Sequence, residues 1–593
     1  MSGTGPADTW RLRLRENQLF LALSIIIGIL AGLTAVLFTL AIERVDDALF
    51  GLAPSSLQIF LVPVLVSVGT GVLLATVFPG VRGSGVPQTK AAFHLQGGVI
   101  SSRVPLGKFV TGVLCIGSGH SMGREGPSVQ IGAGIASVIG RWLRLSPARV
   151  KELVPVGAAG ALAAAFNTPI AAVLFALEEI IGDLNATLLG STVVASVASV
   201  VVQRSILGNE PLFHVPAYHL VHPAELVGYA ALGVVGGAVS LIFCKSLLAL
   251  RQAFLRMPRS TLMWQPAIGG VAIGAGLLFV PEIKGVGYEY VDQALNGGLV
   301  FRTLVLLCFV KIAATVVSYC SGNAGGIFAP SLYIGAMAGG AIGTLVNLVA
   351  PFPTGEPGAY ALVGMGTLFA GIIRAPMTSV FMIFEITQDY QILVPLMVAN
   401  LLSFVISRRY QPVPVYDALL RQDRIHLPGT AVRGSVGWTA RDVMNVEAPF
   451  LAADTPVRAA FGEAQANRRA AYLVGTPERL LGVVTHERLE EALGAGRGGE
   501  AVATLAEETS AHVHPDHAID IVLERLADSA GLLPVVSRAA AGRVEGVITF
   551  DDIAQFTKRR QVNGASARTE NEAQSGQRTA PEEAPDQTLQ ASR

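Results

Sequence analysis

The chain has 593 residues, of which 51% are hydrophobic and only 15% are charged, and its mean hydropathy is +0.53. Soluble domains usually contain about 25% charged residues, so this composition argues against a purely soluble protein. The 43 basic and 43 acidic residues balance, which excludes a broadly basic nucleic-acid binder and an acidic disordered chain. The cysteines, Cys115, Cys244, Cys308 and Cys320, lie far apart in apolar stretches, so we expect neither a disulfide framework nor a metal site.

Basic residues flank a long apolar region. A polar arm, residues 1–17, carries Arg11, Arg13 and Arg15, and Arg408 and Arg409 follow the last apolar run. Positive residues beside membrane segments favour the cytoplasm, so we predict that both termini lie inside the cell. The N-terminus has no signal-peptide pattern, and we expect an integral multi-pass protein of a bacterial inner membrane.

Apolar runs separated by glycine- and proline-rich breaks fill residues 18–425. A helix that spans a bilayer needs about 20 mostly apolar residues, and several runs reach that length while others are short or interrupted. Broken helices are tolerated at membrane depth only where protein or a wet cavity covers them. We therefore predict an α-helical polytopic membrane domain with many broken helices, and the alternative is a large soluble helical bundle. The longest runs are Phe20–Ile42, Ile59–Phe78, Leu226–Leu250 and Thr303–Val317.

The membrane domain contains a weak internal repeat, with halves at roughly 18–210 and 222–410. The pattern Pro-Ser-x-x-Ile-Gly-Ala begins at Pro127 and again at Pro330, and Pro169 and Pro376 each open an apolar run. Interrupted segments at equivalent positions in two halves point to a transporter site at their interface. Chance similarity is the alternative, and the sequence leaves open whether the halves run parallel or inverted.

Three glycine-rich breaks each precede a predicted helix start. Glycine lets the backbone approach an ion closely, and proline fits the first turn of a helix. That turn leaves N–H groups unpaired at the positive end of the helix dipole, so several converging ends would bind an anion without lysine or arginine. Such a site holds a conducted ion weakly enough to release it. The loop residues are Gly83, Gly85 and Pro87, then Gly123, Arg124, Gly126 and Pro127, then Gly325, Gly326 and Pro330.

Glu125 is the carboxylate within these breaks. At a helix start it can occupy an anion site itself, and protonation would remove its charge, so it can couple proton binding to anion movement. The alternative is a helix N-terminal glutamate that the dipole merely favours. Ser84 would add a hydroxyl donor, whereas Ile327 and Phe328 would contribute backbone N–H groups.

In their order and spacing, these breaks resemble the three anion-site signatures of the CLC family of chloride channels and transporters. The resemblance runs over about residues 20–425, and Pro414–Leu420 is similar to the family's tyrosine segment. It implies an inverted repeat and a homodimer in the lipid bilayer, with one anion path per subunit.

The family resemblance also implies roles for single residues. Ser84 and Tyr416 would place hydroxyls on the central chloride, and Ile327 and Phe328 would supply amide donors to it. Glu125 would be the gating glutamate. Serine in the first signature implies chloride rather than nitrate as the preferred anion.

The family contains both passive channels and chloride/proton antiporters. In the internal repeat, Glu178 matches Glu385, which indicates a structural role, whereas Glu179 matches Ile386 and is the additional acid. By resemblance, Glu179 occupies the internal proton-transfer position of antiporters. We therefore predict exchange of chloride for protons, with a passive voltage- or pH-gated chloride channel as the alternative. The alternative for Glu179 is a structural carboxyl near the membrane surface.

Some residues depart from the family pattern or suit another activity. Gln88 and Lys90 stand where some antiporters carry Glu-x-Glu, and their role is left open. His120 could tune pH dependence, although a solvated loop histidine is the simpler expectation. A membrane enzyme with Ser118 as nucleophile is a further alternative, but the surrounding motif fits poorly and we predict no enzyme activity.

Residues 437–560 form a soluble α/β pattern. Gly482-Val483-Val484-Thr485 and Gly546-Val547-Ile548-Thr549 are each followed by a predicted helix, and in these motifs the region resembles a tandem CBS pair. The predicted modules are 437–495 and 508–560, and the polar tail 561–593 is predicted to be disordered. The predicted strands are Ala471–Val474, Leu481–Val484, Leu532–Val536 and Val544–Ile548.

One CBS module carries a half-signature for nucleotide binding. Thr549 and Asp552 match a pair that holds an adenosine ribose in other CBS proteins, whereas Arg488 replaces the aspartate after Thr485. A regulatory adenine nucleotide is therefore the one ligand predicted besides chloride and protons, and a structural or dimer-forming role is the alternative. No metal is expected.

Overall fold

The structure is a computed structural model that describes most of the chain in two compact units, Met1–Pro428 and Gly429–Arg593. The predicted disordered tail, 561–593, lies outside the described residues. The described residues are 6–182, 186–209, 212–213, 215–216, 218, 220–425, 427, 438–467, 470–507, 511–517, 519–527, 529, 531–537 and 543–556.

The first unit is built from helices, and seven stretches in its described residues are long and apolar enough to cross a membrane. Its helices are α1 (Pro6–Phe50), α2 (Ser56–Thr76), α3 (Val86–Leu95), α4 (Arg103–Gly117), α5 (Glu125–Trp142), α6 (Pro147–Phe166), α7 (Pro169–Phe175), α8 (Ala186–Leu207), α9 (Glu225–Arg256), α10 (Gln265–Phe279), α11 (Tyr288–Leu295), α12 (Phe301–Cys320), α13 (Phe328–Val349), α14 (Pro357–Ile372), α15 (Pro376–Thr387), α16 (Leu393–Tyr410) and α17 (Val415–Gln422). Short 3₁₀ turns lie at Pro79–Val81, Arg259–Thr261 and Pro281–Ile283, and a π-helical turn, Ala176–Ile181, continues α7.

The predicted apolar runs all lie within helices, in α1, α2, α9 and α12, apart from the last residues of the second run. Helix α1 begins at Pro6, so most of the predicted N-terminal arm, 1–17, is the first part of this helix instead of a separate element. Several of the remaining helices are too short to span a bilayer, as the glycine and proline breaks predicted. The unit therefore has the make-up of a polytopic membrane domain.

Glycine pairs bring the helices of each half into close contact. A Cβ on Gly132 would collide with the carbonyl oxygen of Gly157, and a Cβ on Gly335 would collide with that of Gly364. These contacts pack α5 on α6 and α13 on α14. Small residues let membrane helices approach until their backbones touch, which compensates for the lack of a hydrophobic driving force in lipid.

Two glutamates cap helices of the opposite half. Glu178 accepts a hydrogen bond of 2.9 Å from the backbone N–H of Thr378, at the start of α15. Glu385 accepts one of 2.7 Å from the backbone N–H of Ala171, at the start of α7. A carboxylate stabilises a helix start because it satisfies unpaired N–H groups and complements the dipole. The exchange of caps relates the halves by an approximate two-fold and gives both glutamates a structural task.

The second unit contains strands and helices. Its strands are β1 (Phe450–Leu451), β2 (Ala471–Thr476), β3 (Arg479–Thr485), β4 (Leu532–Val536) and β5 (Val544–Thr549). Its helices are α18 (Ala440–Val443), α19 (Val457–Asn467), α20 (His486–Gly494), α21 (Ile519–Ala527) and α22 (residues 550–556), with a 3₁₀ turn at Val502–Thr504. All four predicted strands lie within observed ones.

The second unit repeats one order of elements twice. Strand β1 pairs in parallel with β2, and β2 pairs antiparallel with β3. Val513 bridges to Val535 of β4 in parallel, and β4 pairs antiparallel with β5. A helix lies between the parallel partners each time, and another follows the hairpin. This duplication is what two similar modules would produce, while their predicted limits, 437–495 and 508–560, stay a prediction.

Candidate functional site

The three glycine-rich breaks meet inside the first unit. Gly123 and Gly326 exchange two backbone hydrogen bonds of 2.8 Å, and Gly83 forms a bridge with Ala324. The loops are therefore joined through main-chain contacts, although long stretches of chain separate them. The structure thus brings together the segments that the sequence singled out.

Each joined loop opens a helix. Gly85, with a φ of 104°, is the N-cap of α3, and a positive φ of this kind favours glycine. Glu125 is the first residue of α5, and Ile327 is the N-cap of α13. Three helix starts, each with unpaired N–H groups in its first turn, therefore adjoin one another, which creates a region of positive potential without a basic side chain.

Gly126 lies where the loops approach most closely. A Cβ at this position would lie 2.6 Å from Ser84 Oγ and 3.2 Å from the Cα of Gly326. Real Cβ atoms do not approach a hydroxyl so closely, so a larger residue would displace the serine or the third loop. Glycine at this position thus keeps the Ser84 hydroxyl in place.

Two hydroxyls at the site are buried and have no hydrogen-bond partner among the described residues. They belong to Ser84, just before α3, and to Tyr416 in α17, and both residues are fully buried. The two side chains lie close enough to interact. A buried hydroxyl without a partner costs about 1–3 kcal/mol, so a ligand that accepts hydrogen bonds from both would recover this free energy. A chloride ion is such an acceptor.

Glu125 is buried and folds back over the start of its own helix. Its Oε1 accepts a hydrogen bond of 2.5 Å from the hydroxyl of Tyr288. A Cβ built on Gly123 would collide with Glu125 Oε2 and lie 3.0 Å from the backbone nitrogen of Ala329. The carboxylate therefore lies between the starts of α5 and α13, where an anion would also be favoured.

Tyr288 is a site residue that the sequence interpretation missed. It opens α11, directly after Gly285-Val286-Gly287, and this glycine break occupies the place in the second half that Gly83-Ser84-Gly85 occupies in the first. Extending the internal repeat by one motif would have found it. The guanidinium of Arg124 lies 5.6 Å from the centre of the Tyr288 ring and adds a positive charge beside it.

Ile327 and Phe328 are buried, and their side chains face apolar neighbours. The Phe328 ring lies 4.5 Å from that of Phe369 and 4.9 Å from that of Phe166, measured between ring centres. This packing anchors the start of α13. It leaves the backbone amides of the first turn as the groups that can face an anion.

A buried lysine supports the first loop, and the second half has its counterpart. Lys108 Nζ donates hydrogen bonds of 2.6 Å and 2.7 Å to the carbonyl oxygens of Val81 and Gly83. Lys311 Nζ donates one of 2.9 Å to Gly285 in the equivalent loop. Both lysines are fully buried. Each binds carbonyl oxygens that would otherwise repel an anion.

Glu179 lies in the π-helical turn and belongs to a buried ion cluster. Lys90 Nζ lies 2.9 Å from Glu179 Oε1 and 2.7 Å from Asp417 Oδ1. All three side chains are less than a tenth exposed. Neither Lys90 nor Asp417 was assigned a role from the sequence, because their contact depends on how α3, α17 and the π-helical turn pack together.

Gln88 stabilises the first loop. Its Oε1 accepts a hydrogen bond of 3.0 Å from the backbone N–H of Gly85, and its Nε2 donates one of 3.1 Å to the carbonyl oxygen of Arg82. The residue therefore caps α3 from within its first turn.

The expectation of a solvated loop histidine at position 120 is wrong. His120 is fully buried, with Nε2 2.7 Å from Ser67 Oγ and Nδ1 3.4 Å from Ser318 Oγ. Its ring nitrogens face these two serines, because the loop tucks between α2 and α12. The Ser118 hydroxyl donates to the carbonyl oxygen of Cys115 instead, at 3.0 Å.

In the second unit, the predicted nucleotide residues bond to each other. Asp552 Oδ2 accepts hydrogen bonds from the Thr549 hydroxyl at 2.6 Å and from its backbone N–H at 2.9 Å, which caps α22. Arg488 forms an ion pair of 2.6 Å with Glu507. Within the described ranges, no three histidine, cysteine or acidic side chains group as metal ligands would.

Comparison with known proteins places these features in a family. Residues 65–408 match the family model described as voltage gated chloride channel. The chain is 32% identical over 417 residues to the H(+)/Cl(-) exchange transporter ClcA of Vibrio cholerae serotype O1 (strain M66-2), an alignment that covers 68% of this chain and 89% of that one. It is 34% identical over 346 residues to a putative chloride channel protein, ClcB-like, of Ralstonia nicotianae, which covers 57% and 80%.

Solved structures give the same result. A slow cyanobacterial Cl-/H+ antiporter is 28% identical and superposes with a TM-score of 0.64 over 68% of this chain and 97% of that one. A eukaryotic CLC transporter, 19% identical, shares the fold with a TM-score of 0.61 over 91% of this chain and 98% of that one. The predicted fold is confirmed, and the chain belongs to the CLC family of voltage gated chloride channels and transporters.

Proposed function

We propose that the protein is a secondary active transporter that exchanges chloride for protons across the membrane. The observation that carries the proposal is the pairing of an anion site that contains a carboxylate, Glu125, with a second buried carboxylate, Glu179. A passive pore has no need for the second acid at membrane depth, where ionisable groups are expensive. The names of the relatives from Vibrio cholerae and from the cyanobacterium support the same activity.

The anion half of the cycle uses neutral donors. The hydroxyls of Ser84 and Tyr416 would donate to a central chloride, and the amides of Ile327 and Phe328 would donate from the start of α13. Neutral donors stabilise an anion less than a salt bridge would, so chloride can leave again. Lys108 lies behind the first loop and holds it in place through the carbonyl oxygens of Val81 and Gly83.

The proton half of the cycle uses competition at one place. Ionised Glu125 occupies the position between α5 and α13 that favours an anion. Protonation removes its negative charge, so the helix starts no longer attract it to that position. Chloride can then enter, and the protonated carboxyl can turn away with its proton. Glu179 would exchange protons with the cytoplasm. The proton would therefore pass between Glu179 and Glu125, and only Glu125 would lie on the chloride path.

Glu179→Ala tests the proposal directly. The purified full-length protein is reconstituted into lipid vesicles, and chloride and proton movements are recorded together. We expect wild-type protein to move protons opposite to chloride, and Glu179→Ala to retain chloride flux while proton flux falls by roughly tenfold or more. Glu152→Ala is the matched control, because Glu152 is partly exposed and pairs with Arg149 on the same helix at 2.8 Å. Chloride flux without proton movement in wild type would instead establish the passive channel.

The finer features of the assembly belong to the same proposal. We propose a homodimer in a bacterial inner membrane, with the termini and a CBS pair in the cytoplasm. The exposed apolar residues Leu189, Val193, Val197 and Val201 follow one another at four-residue spacing and form a stripe along α8, which supports a lipid or subunit contact. The adenine nucleotide at Thr549 and Asp552 stays a proposal.

A further inference from the structure

We propose that Glu179, Lys90 and Asp417 act as one unit that carries a single transferable proton on the proton path, so that Lys90 and Asp417 are positioning residues for Glu179. This inference rests on the proposed exchange of chloride for protons. It concerns which group holds the proton, and it adds a third carboxylate to the two that the exchange already uses.

The geometry ties the three side chains together. Lys90 Nζ lies 2.9 Å from Glu179 Oε1 and 2.7 Å from Asp417 Oδ1, so a single ammonium group binds both carboxylates. Both acids are 5% exposed and the lysine is 9% exposed, so water screens the charges only slightly. At this burial, the charge state of each side chain depends strongly on the other two.

The charge count explains why one proton belongs to the set. Two carboxylates and one ammonium carry one net negative charge, and one added proton makes the set neutral. A second proton would leave a buried positive charge, and a missing lysine would leave two buried negative charges side by side. Either state is unfavourable in a medium of low dielectric. The set therefore alternates between one proton and none.

The neighbouring charged groups have other partners and do not change the net charge of this set. Glu178, the adjacent acid, turns away to cap α15. On α3, His94 Nε2 lies 3.0 Å from the carbonyl oxygen of Ile180 and is half-buried. On α6, Lys151 lies over the ring of Phe93, with 4.9 Å from its Nζ to the ring centre. The tyrosine next to Asp417 contributes a neutral hydroxyl to the anion site.

The position of Asp417 connects the unit to the anion path. Asp417 directly follows Tyr416 in α17, and Lys90 lies in α3, six residues after Ser84 of the loop that opens this helix. Two members of the unit are therefore close in sequence to the hydroxyls of the proposed anion site. The proton enters by binding to either carboxylate, while Lys90 stays paired with the other. It leaves toward Glu125, and the unit returns to one net negative charge.

A charge-balanced double variant tests the unit. In vesicles that contain the full-length protein, we expect Lys90→Met and Asp417→Asn each to lower proton flux by roughly tenfold, because each changes the buried charge by one unit. The combination Lys90→Met/Asp417→Asn restores one negative charge on Glu179 alone. We expect the double variant to regain proton flux to within about threefold of wild type. Removing both partners of a buried ion pair leaves no unpaired charge, so it disturbs the protein less than removing one partner.

Chloride flux in the same vesicles shows whether each variant is folded, and a second ion pair serves as the control. Lys284 and Asp46 lie 2.7 Å apart and are about one third exposed, so Lys284→Met and Asp46→Asn should leave the ratio of protons to chloride unchanged. A double variant no better than its worse single variant would overturn the inference. Equal losses of chloride and proton flux in a variant that elutes like wild type in size-exclusion chromatography would also overturn it, because they would place Lys90 on the anion path. Absence of proton flux in wild type would overturn the proposed exchange itself.

Discussion

At the scale of single residues, the site depends on groups whose hydrogen bonds are incomplete or shared. Ser84 and Tyr416 offer free hydroxyls, whereas Glu125 holds one bond to Tyr288 and has a second oxygen without a partner among the described residues. A carboxylate with only part of its hydrogen-bonding capacity used is easier to displace than one that is fully bonded. The arrangement therefore suits a group that must leave its place in every cycle.

Tyr288→Phe should loosen the hold on Glu125. The change removes one hydroxyl donor, and a hydrogen bond to a charged group is worth about 1.5–3 kcal/mol, so Glu125 should compete with chloride roughly ten- to a hundredfold less well. Chloride binding to the detergent-purified protein, measured by calorimetry, should tighten accordingly. Tyr290→Phe, two residues further along α11, is the matched control.

The effect of this change should depend on the carboxylate. In a Glu125→Gln background, Tyr288→Phe should alter chloride affinity little, because the charge that the hydroxyl stabilises is already gone. An equal tightening in both backgrounds would mean that Tyr288 acts on the anion site independently of Glu125.

At the scale of elements, each half of the membrane unit supplies a carboxylate that caps the start of a helix in the opposite half. Glu178 caps α15 and Glu385 caps α7, and the glycine contacts of α5 with α6 recur between α13 and α14. Duplicated helices of this kind place several N-termini at one interface. The anion site follows from this arrangement more than from any single side chain.

The two caps should make similar contributions to stability. Replacing a capping side chain by alanine costs about 1 kcal/mol, so Glu178→Ala and Glu385→Ala should each lower the Tm of the purified protein by a similar amount. Thermal unfolding followed by size-exclusion fluorescence measures the shift, with Glu152→Ala as control. A large loss of Tm in one variant and none in the other would show that the two caps do not contribute equally to stability.

The sequence was sufficient for the local features of the site. Glycine and proline mark Gly83–Pro87 and Gly325–Pro330 as breaks because they act on their own backbone, and the apolar runs predict the helices that follow. The partners of Glu179 and Glu125 were not predictable in this way. Lys90 meets Asp417, and Tyr288 meets Glu125, only after distant helices pack. His120 was misjudged for the same reason, since its burial depends on α2 and α12.

At the scale of the whole molecule, the balanced charge of the chain averages two different units. Among the described internal charges of the membrane unit, Lys90 lies in a cluster with two carboxylates, whereas Lys108 and Lys311 bind backbone carbonyl oxygens. The second unit repeats one order of strands and helices twice, as two similar modules would. Each unit therefore repeats an arrangement of elements within itself.

Nucleotide binding by the second unit can be tested separately. If Thr549 and Asp552 hold a ribose, binding must compete with the cap of α22 that they now form. We expect ATP to bind the full-length protein measurably, and Asp552→Ala to weaken binding by roughly tenfold because a charge-assisted hydrogen bond is lost. Asp551→Ala is the adjacent control. Equal binding by wild type and Asp552→Ala would place the nucleotide elsewhere.

In the proposed function, chloride and protons move in opposite directions through one coupled cycle. The most direct measurement imposes an outward chloride gradient on vesicles that contain the protein, at equal pH inside and outside, and follows internal pH. Coupled exchange predicts that chloride efflux drives protons inward until a pH gradient opposes it, and that Glu179→Ala abolishes this uptake while chloride continues to leave. Chloride efflux from wild-type vesicles with no proton uptake, under conditions that prevent a membrane potential, would contradict coupled exchange.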